Sequence, residues 1–181
     1  MLTHLSRRVR PIVGAAALLS SVSAPLIAGP LPPRTQQASC DAPAFREFDF
    51  WLGTWDVSDT TGTVVGTNRI DAIHGGCALR EQWTGRRGMT GTSLNAYDAG
   101  TKRWYQTWVD NNGLVLRLSG GLERGEMVLS GDVLAADGKR QLHRIRWGRM
   151  DAGRVRQTWE VSADGGASWS VAFVGVYTPR R

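Results

Sequence analysis

Histidine and cysteine are scarce in this 181-residue chain, which holds three of the first and two of the second. His4 falls in the extreme N-terminal segment, so only His74 and His143 remain for the body of the protein. So few imidazoles exclude a metal centre built on several histidines. Asp71, His74 and Cys77 recur at every third residue, but strand geometry does not bring that spacing to one point, and no metal is expected. Nucleophile signatures are missing too. Ser93 lacks the flanking glycines of a nucleophile elbow, no H-E-x-x-H occurs, and no glycine run resembles a phosphate-binding loop. Asp41, Asp49, Glu81, Asp110 and Glu160 show no pairing that the sequence alone can establish. Nothing in the chain names a cofactor.

Long apolar runs are also lacking, with one exception. Arg7, Arg8 and Arg10 precede an apolar, small-residue stretch from Ile12 to Ala28 that is broken by Pro25. A basic start feeding a short apolar run reads as a secretory signal and is too short for a membrane span. Residues 1–29 are therefore taken as a signal peptide. Residues 30–42, with Pro30, Pro32 and Pro33, form a flexible leader, and 43–181 a single domain. The expected location is periplasmic or secreted, with no transmembrane segment in the mature chain. Segment 1–29 carries three of the 22 basic residues and none of the 16 acidic ones, so the net charge of +6 falls to +3 on maturation. No basic run with interleaved aromatics occurs, and a nucleic-acid partner is not expected.

An even cysteine pair in a small exported domain points to a disulfide between Cys40 and Cys77. Closing that loop is worth roughly 3–4 kcal/mol on a chain-entropy estimate.

What the chain does contain is a regular succession of short β-type runs and turn signals. The runs lie around Trp55–Val57 and at 63–73, 77–84, 90–97, 103–109, 114–118, 127–133, 141–147, 155–161 and 169–177. Between them sit Thr61-Gly62, Gly75-Gly76, Arg86-Arg87-Gly88, Asp98-Ala99-Gly100, Asn111-Asn112-Gly113, Gly120-Gly121, Asp137-Gly138, Asp151-Ala152-Gly153 and Asp164-Gly165-Gly166. Only Ala44 to Trp51 suits a short helix, with Phe45, Phe48 and Trp51 on one face. So many hairpin-short connections predict an all-β, up-and-down antiparallel barrel of about ten strands, because closure removes the open edges. Ser162 to Trp169 fits an S-x-D-x-G-x-x-W box, but one copy reads as a hairpin tip.

Gly53-Thr54-Trp55 matches the G-x-W that opens the first strand of lipocalins, fatty-acid-binding proteins and nitrobindin-like barrels. There glycine permits a tight entry and the indole plugs the closed end. Across nearly all of the mature chain the sequence resembles a family of exported bacterial proteins, a domain of unknown function with a lipocalin-like fold. The resemblance rests on Phe48-Asp49-Phe50-Trp51-Leu52-Gly53, Asn68-Arg69-Ile70, Gly75-Gly76-Cys77-Ala78-Leu79 and Gln106-Thr107-Trp108-Val109-Asp110. It extends to Arg156-Gln157-Thr158-Trp159-Glu160 and Asp164-Gly165-Gly166-Ala167-Ser168-Trp169. It implies fold and export, and the resemblance to lipocalins implies a basic side chain, Arg180 or Arg181, stacked on a buried Trp55.

Side chains alternate along strands, so Trp104, Gln106 and Trp108 share a face, as do Gln157 with Trp159, and Leu79 with Glu81 and Trp83. If these faces point inward, they line one cavity with Glu81, Gln106 and Gln157 as its polar contacts. A ligand-sized cavity would reach roughly 300 Å³. On that expectation Gln106→Leu costs little stability. The leading functional reading is a binder of a small, partly apolar ligand. The alternatives are an isomerase or hydrolase using Glu81 or His143 as acid–base group, a haem-binding nitrobindin-like protein with His143 inside, and a structural module filled by its tryptophans.

Overall fold

In the computed structural model residues 40–180, apart from residue 136, are described. The segment expected to be a signal peptide and all of the expected leader before Cys40 lie outside the described residues. Helix α1 (Pro43–Arg46) is one turn, started by a proline at its first position, where the missing N–H costs nothing. A 3₁₀ turn at Asp49–Trp51 follows. The stretch expected as one helix is thus two short turns. The spacing of three between Phe45, Phe48 and Trp51 suits this tighter winding, in which side chains three apart eclipse.

Ten strands then run to the C-terminus: β1 (Gly53–Ser58), β2 (Val64–Ile73), β3 (Ala78–Gly85), β4 (Thr90–Asp98), β5 (Arg103–Asp110), β6 (Val115–Glu123), β7 (Glu126–Leu134), β8 (Arg140–Arg149), β9 (Val155–Ser162) and β10 (Ser170–Pro179). Each pairs with its sequence neighbour, and β1 pairs antiparallel with β10 from Trp55↔Pro179 to Ser58↔Val176. The result is a closed up-and-down barrel with no free edge.

One connection differs from the sequence expectation. Gly120-Gly121 lies inside β6, and the turn comes later, at Arg124 and Gly125, between the paired Glu123 and Glu126. Both turn residues have positive φ, 51° and 89°, as a two-residue hairpin requires. The glycine at 120 serves the strand crossing instead. A Cβ there would sit 1.9 Å from the Val128 carbonyl oxygen. The S-x-D-x-G box forms the β9–β10 turn, where Asp164 accepts hydrogen bonds from the Ser168 amide and from the hydroxyls of Ser162 and Ser168.

The segment before β1 plugs one end of the barrel. Phe48 is fully buried, stacked on Trp51 with centroids 4.9 Å apart and edge-on to Trp147 and Trp104. Trp55 is buried beside them and donates Nε1–H to the Trp51 carbonyl at 3.0 Å. The arginine expected on Trp55 is elsewhere. Pro179 lies opposite Trp55, so the next residue, Arg180, turns to the outer face and pairs with Asp56 at 3.2 Å. Arg181 lies outside the described residues. The stacked arginine at this end is Arg149, 4.5 Å from the Phe50 ring. Cys40 and Cys77 form the expected disulfide, Cα–Cα 5.0 Å, joining the chain ahead of α1 to the connection between β2 and β3. Asp71 is engaged by Arg69 and Arg80, so the Asp71/His74/Cys77 spacing is used for an ion pair and a disulfide.

Candidate functional site

Alternation along the strands decides what faces the interior. On β5, Trp104 and Gln106 are buried, whereas Tyr105 and Val109 are exposed. Glu81 on β3 and Gln157 on β9 are likewise turned inward. Glu81, Trp83, Gln106, Trp108, Gln157 and Trp159 all border a single cavity of about 270 Å³. That is close to the lower bound of drug-sized sites, roughly 300 Å³. Met89, Leu116, Ile145, Phe173 and Tyr177 complete most of its wall. Two residues grouped with this set by parity do not reach it. Leu79 and Trp104 lie at the plugged end, where Trp104 packs on Phe48 and donates Nε1–H to Glu47. Parity gives the face of a strand but not the depth along the barrel.

The cavity stays open because aromatic rings lie against glycines. A Cβ on Gly66 would come within 2.7 Å of the Trp83 indole, one on Gly91 within 2.2 Å of Trp108, and one on Gly175 within 2.7 Å of Phe173. With hydrogen in place of a methyl group, each ring settles onto the wall instead of crossing the lumen.

Below the aromatic walls runs a chain of buried polar groups. Asn68 donates Nδ2–H to Glu81 Oε1 at 2.7 Å, and Ser93 donates Oγ–H to Glu81 Oε2 at 2.6 Å. Asn95 donates to Ser93 Oγ at 2.9 Å, and Gln106 Nε2 donates to Asn95 Oδ1 at 2.9 Å. The Tyr177 hydroxyl donates to Gln157 Oε1. Ser93 sits directly opposite Glu81 and Asn95 opposite Gln106, so the network follows from strand register. Burial pushes the Glu81 carboxyl from 4.5 up to about 7, against the opposing pull of the Ser93 and Asn68 hydrogen bonds. Burial, together with the Glu81 charge, holds Tyr177 well above the usual tyrosine range.

His143 is also interior, 5 % exposed, but it stands behind Trp159 and does not line the cavity. Trp159 donates Nε1–H to His143 Nδ1 at 3.0 Å. An Nδ1 that accepts must leave the ring proton on Nε2. That nitrogen then has no lone pair for an iron, so the geometry does not support haem ligation. Burial lowers the His143 pKa and keeps the ring neutral.

The polar partners Asn68, Ser93, Asn95 and Tyr177 belong to the site although no sequence motif marks them as site residues. Their signal was polar side chains at inward-facing parity, each needing a partner once buried. The network also corrects the expectation for Gln106→Leu. Leucine removes the donor to Asn95 Oδ1 and strands a buried acceptor, so the expected cost is about 1–3 kcal/mol. Urea denaturation reads this directly, and a loss under about 0.5 kcal/mol would mean Asn95 finds another donor.

No family model matches the chain and no curated protein matches it, so the site is read from its own geometry.

Proposed function

We propose that the protein is an exported binder that holds a small, largely apolar molecule inside the barrel, and that it belongs with the lipocalin-like exported proteins its sequence resembles. The observation that carries this reading is the convergence of six residues from three strands on one aromatic-walled cavity. Among the described residues Gln106 uses only its Nε2 and Gln157 only its Oε1, which leaves one amide donor and one acceptor for a guest. The N-terminal sequence and the Cys40–Cys77 bridge support export. Among the described residues no helix is long and apolar enough to cross a membrane.

A binder fits these contacts better than an enzyme. Ser93, the hydroxyl nearest the Glu81 carboxyl, is 1 % exposed and does not border the cavity, so it cannot meet a substrate there. Ser93 and Glu81 therefore do not face a guest together as a nucleophile and its base. Native mass spectrometry of the protein purified from its own host is expected to show a bound small molecule that is shed on collisional activation. In parallel, the neutral probe N-phenyl-1-naphthylamine is expected to quench the cavity tryptophans on titration. Empty protein together with an unresponsive probe would remove the binding reading.

A further inference from the structure

We infer that the guest is an organic cation, an amine whose ammonium group sits against Glu81 while its apolar body lies among Trp83, Trp108, Trp159 and Phe173. The inference rests on the binding reading above and gives it a chemical class.

Charge at the cavity decides first. Among the described residues no lysine or arginine borders the cavity, and its one acid is Glu81. A carboxylate or phosphate guest would meet no cation and would lie beside an acid. That arrangement is strongly unfavourable away from water. An ammonium guest meets the reverse situation. The ionised Glu81 accepts one hydrogen bond on each oxygen, from the neutral donors Asn68 and Ser93. A carboxylate offers about four acceptor positions, so positions remain for a further donor. No charged side chain faces Glu81 from the strands packed against it. On β2 its neighbours are Asn68 and Ile70, and on β4 Ser93. The charges of Arg69, Asp71 and Arg80 pair with one another on the outer face. Tyr177 is the other titratable group close by, and it stays neutral. The countercharge that would stabilise an ionised Glu81 is therefore missing from the protein itself, and the position it would occupy is the cavity.

The walls agree with this assignment. Trp83 and Phe173 meet edge to face, with centroids 6.3 Å apart, and the three indoles and the phenyl ring are only partly buried among other side chains because they border the lumen. Aromatic faces attract cations, most strongly when water is excluded. Glu81, raised to about 7, stands near half-ionisation at neutral pH, so its proton is readily released to solvent when a cationic guest binds.

The test is calorimetric titration of the mature protein with three matched indoles: tryptamine, tryptophol and indole-3-acetate. Tryptamine is expected to bind at least about tenfold more tightly than tryptophol, with indole-3-acetate weakest. At about pH 6, tryptamine binding is expected to release close to one proton per molecule bound, read from buffers of different ionisation heat, and the release fades by about pH 8. Glu81→Gln is expected to abolish both the amine preference and the proton release while tryptophol still binds. Equal or stronger binding of tryptophol, or a Glu81→Gln protein that keeps the preference, overturns the cation inference and leaves the binding reading standing. Failure of all three indoles while N-phenyl-1-naphthylamine binds has the same meaning. Failure of the naphthyl probe as well ends both. Should Glu81→Gln not fold, absence of proton release from the unmodified protein still overturns the inference.

Discussion

Truncating Phe48 to alanine is expected to destabilise the barrel by about 3–5 kcal/mol, the range for a large aromatic removed from a packed core. Phe48 has no exposed surface and touches four other rings, those of Phe50, Trp51, Trp104 and Trp147. Those rings cannot readily close over the gap. Trp104 is fixed by its hydrogen bond to Glu47, and the backbone at Trp51 is held by the indole N–H of Trp55. The void therefore persists, and its lining loses contacts outright. Typical domains have only about 5–15 kcal/mol in hand, so a substantial share disappears with one side chain. Urea unfolding followed by tryptophan fluorescence measures the loss. A change below about 1.5 kcal/mol would show that the plug is a loose cap rather than part of the core.

The second large effect is a pH dependence that belongs to one carboxyl group. Glu81 titrates near 4.5 when unfolded and at about 7 in the barrel. Below the lower value both states are protonated and the group costs nothing. As pH rises from there, the unfolded chain ionises first and folding loses stability, until above about 7 both states are charged and the penalty is constant. The full difference is about 3 kcal/mol. His143, whose pKa is lowered on folding, works in the opposite sense as pH falls below its unfolded value, so the raw pH profile mixes the two. Comparison with Glu81→Gln isolates the carboxyl. Relative to the unmodified protein, the variant is expected to gain up to about 3 kcal/mol between pH 4.5 and 8. Parallel stability curves for the two proteins would show that Glu81 is not desolvated in the fold.

Glu81 is legible in the sequence as a member of one strand face and Phe48 as a member of the aromatic face of a short helix, and the reason is local. Alternation needs only the strand itself, so Glu81, Gln106 and Gln157 could be assigned to the lumen from their own neighbours. Strand ends were equally legible wherever a turn residue served only the turn, as at Asn111 to Gly113, where Gly113 has φ 84° and Asp110 accepts the backbone N–H groups of Asn112 and Leu114. Strand ends are hidden where one residue type answers two needs. Gly120 relieves a strand crossing and resembles a turn only on paper, while Arg124, in the real turn, carries no turn signature at all. Depth was out of reach for a different reason. That Trp104 joins the plug while Trp108 joins the cavity depends on register with other strands, which no single segment encodes. Arg180 shows the converse. The parity of β10 already places it opposite in sense to Pro179 and away from Trp55, and the resemblance to other barrels pointed the other way.

The rings that settle onto Gly66, Gly91 and Gly175 carry a consequence for how such a barrel can change. The hollow is maintained by three absent methyl groups, none of which belongs to a residue bordering the lumen. An alanine at Gly91 would drive the Trp108 indole inward without altering one contact residue, turning a container into a solid without touching its catalogue of contact side chains. Among barrels of related sequence, these three positions would separate the hollow from the filled, and comparison of the cavity-lining side chains alone would miss the distinction.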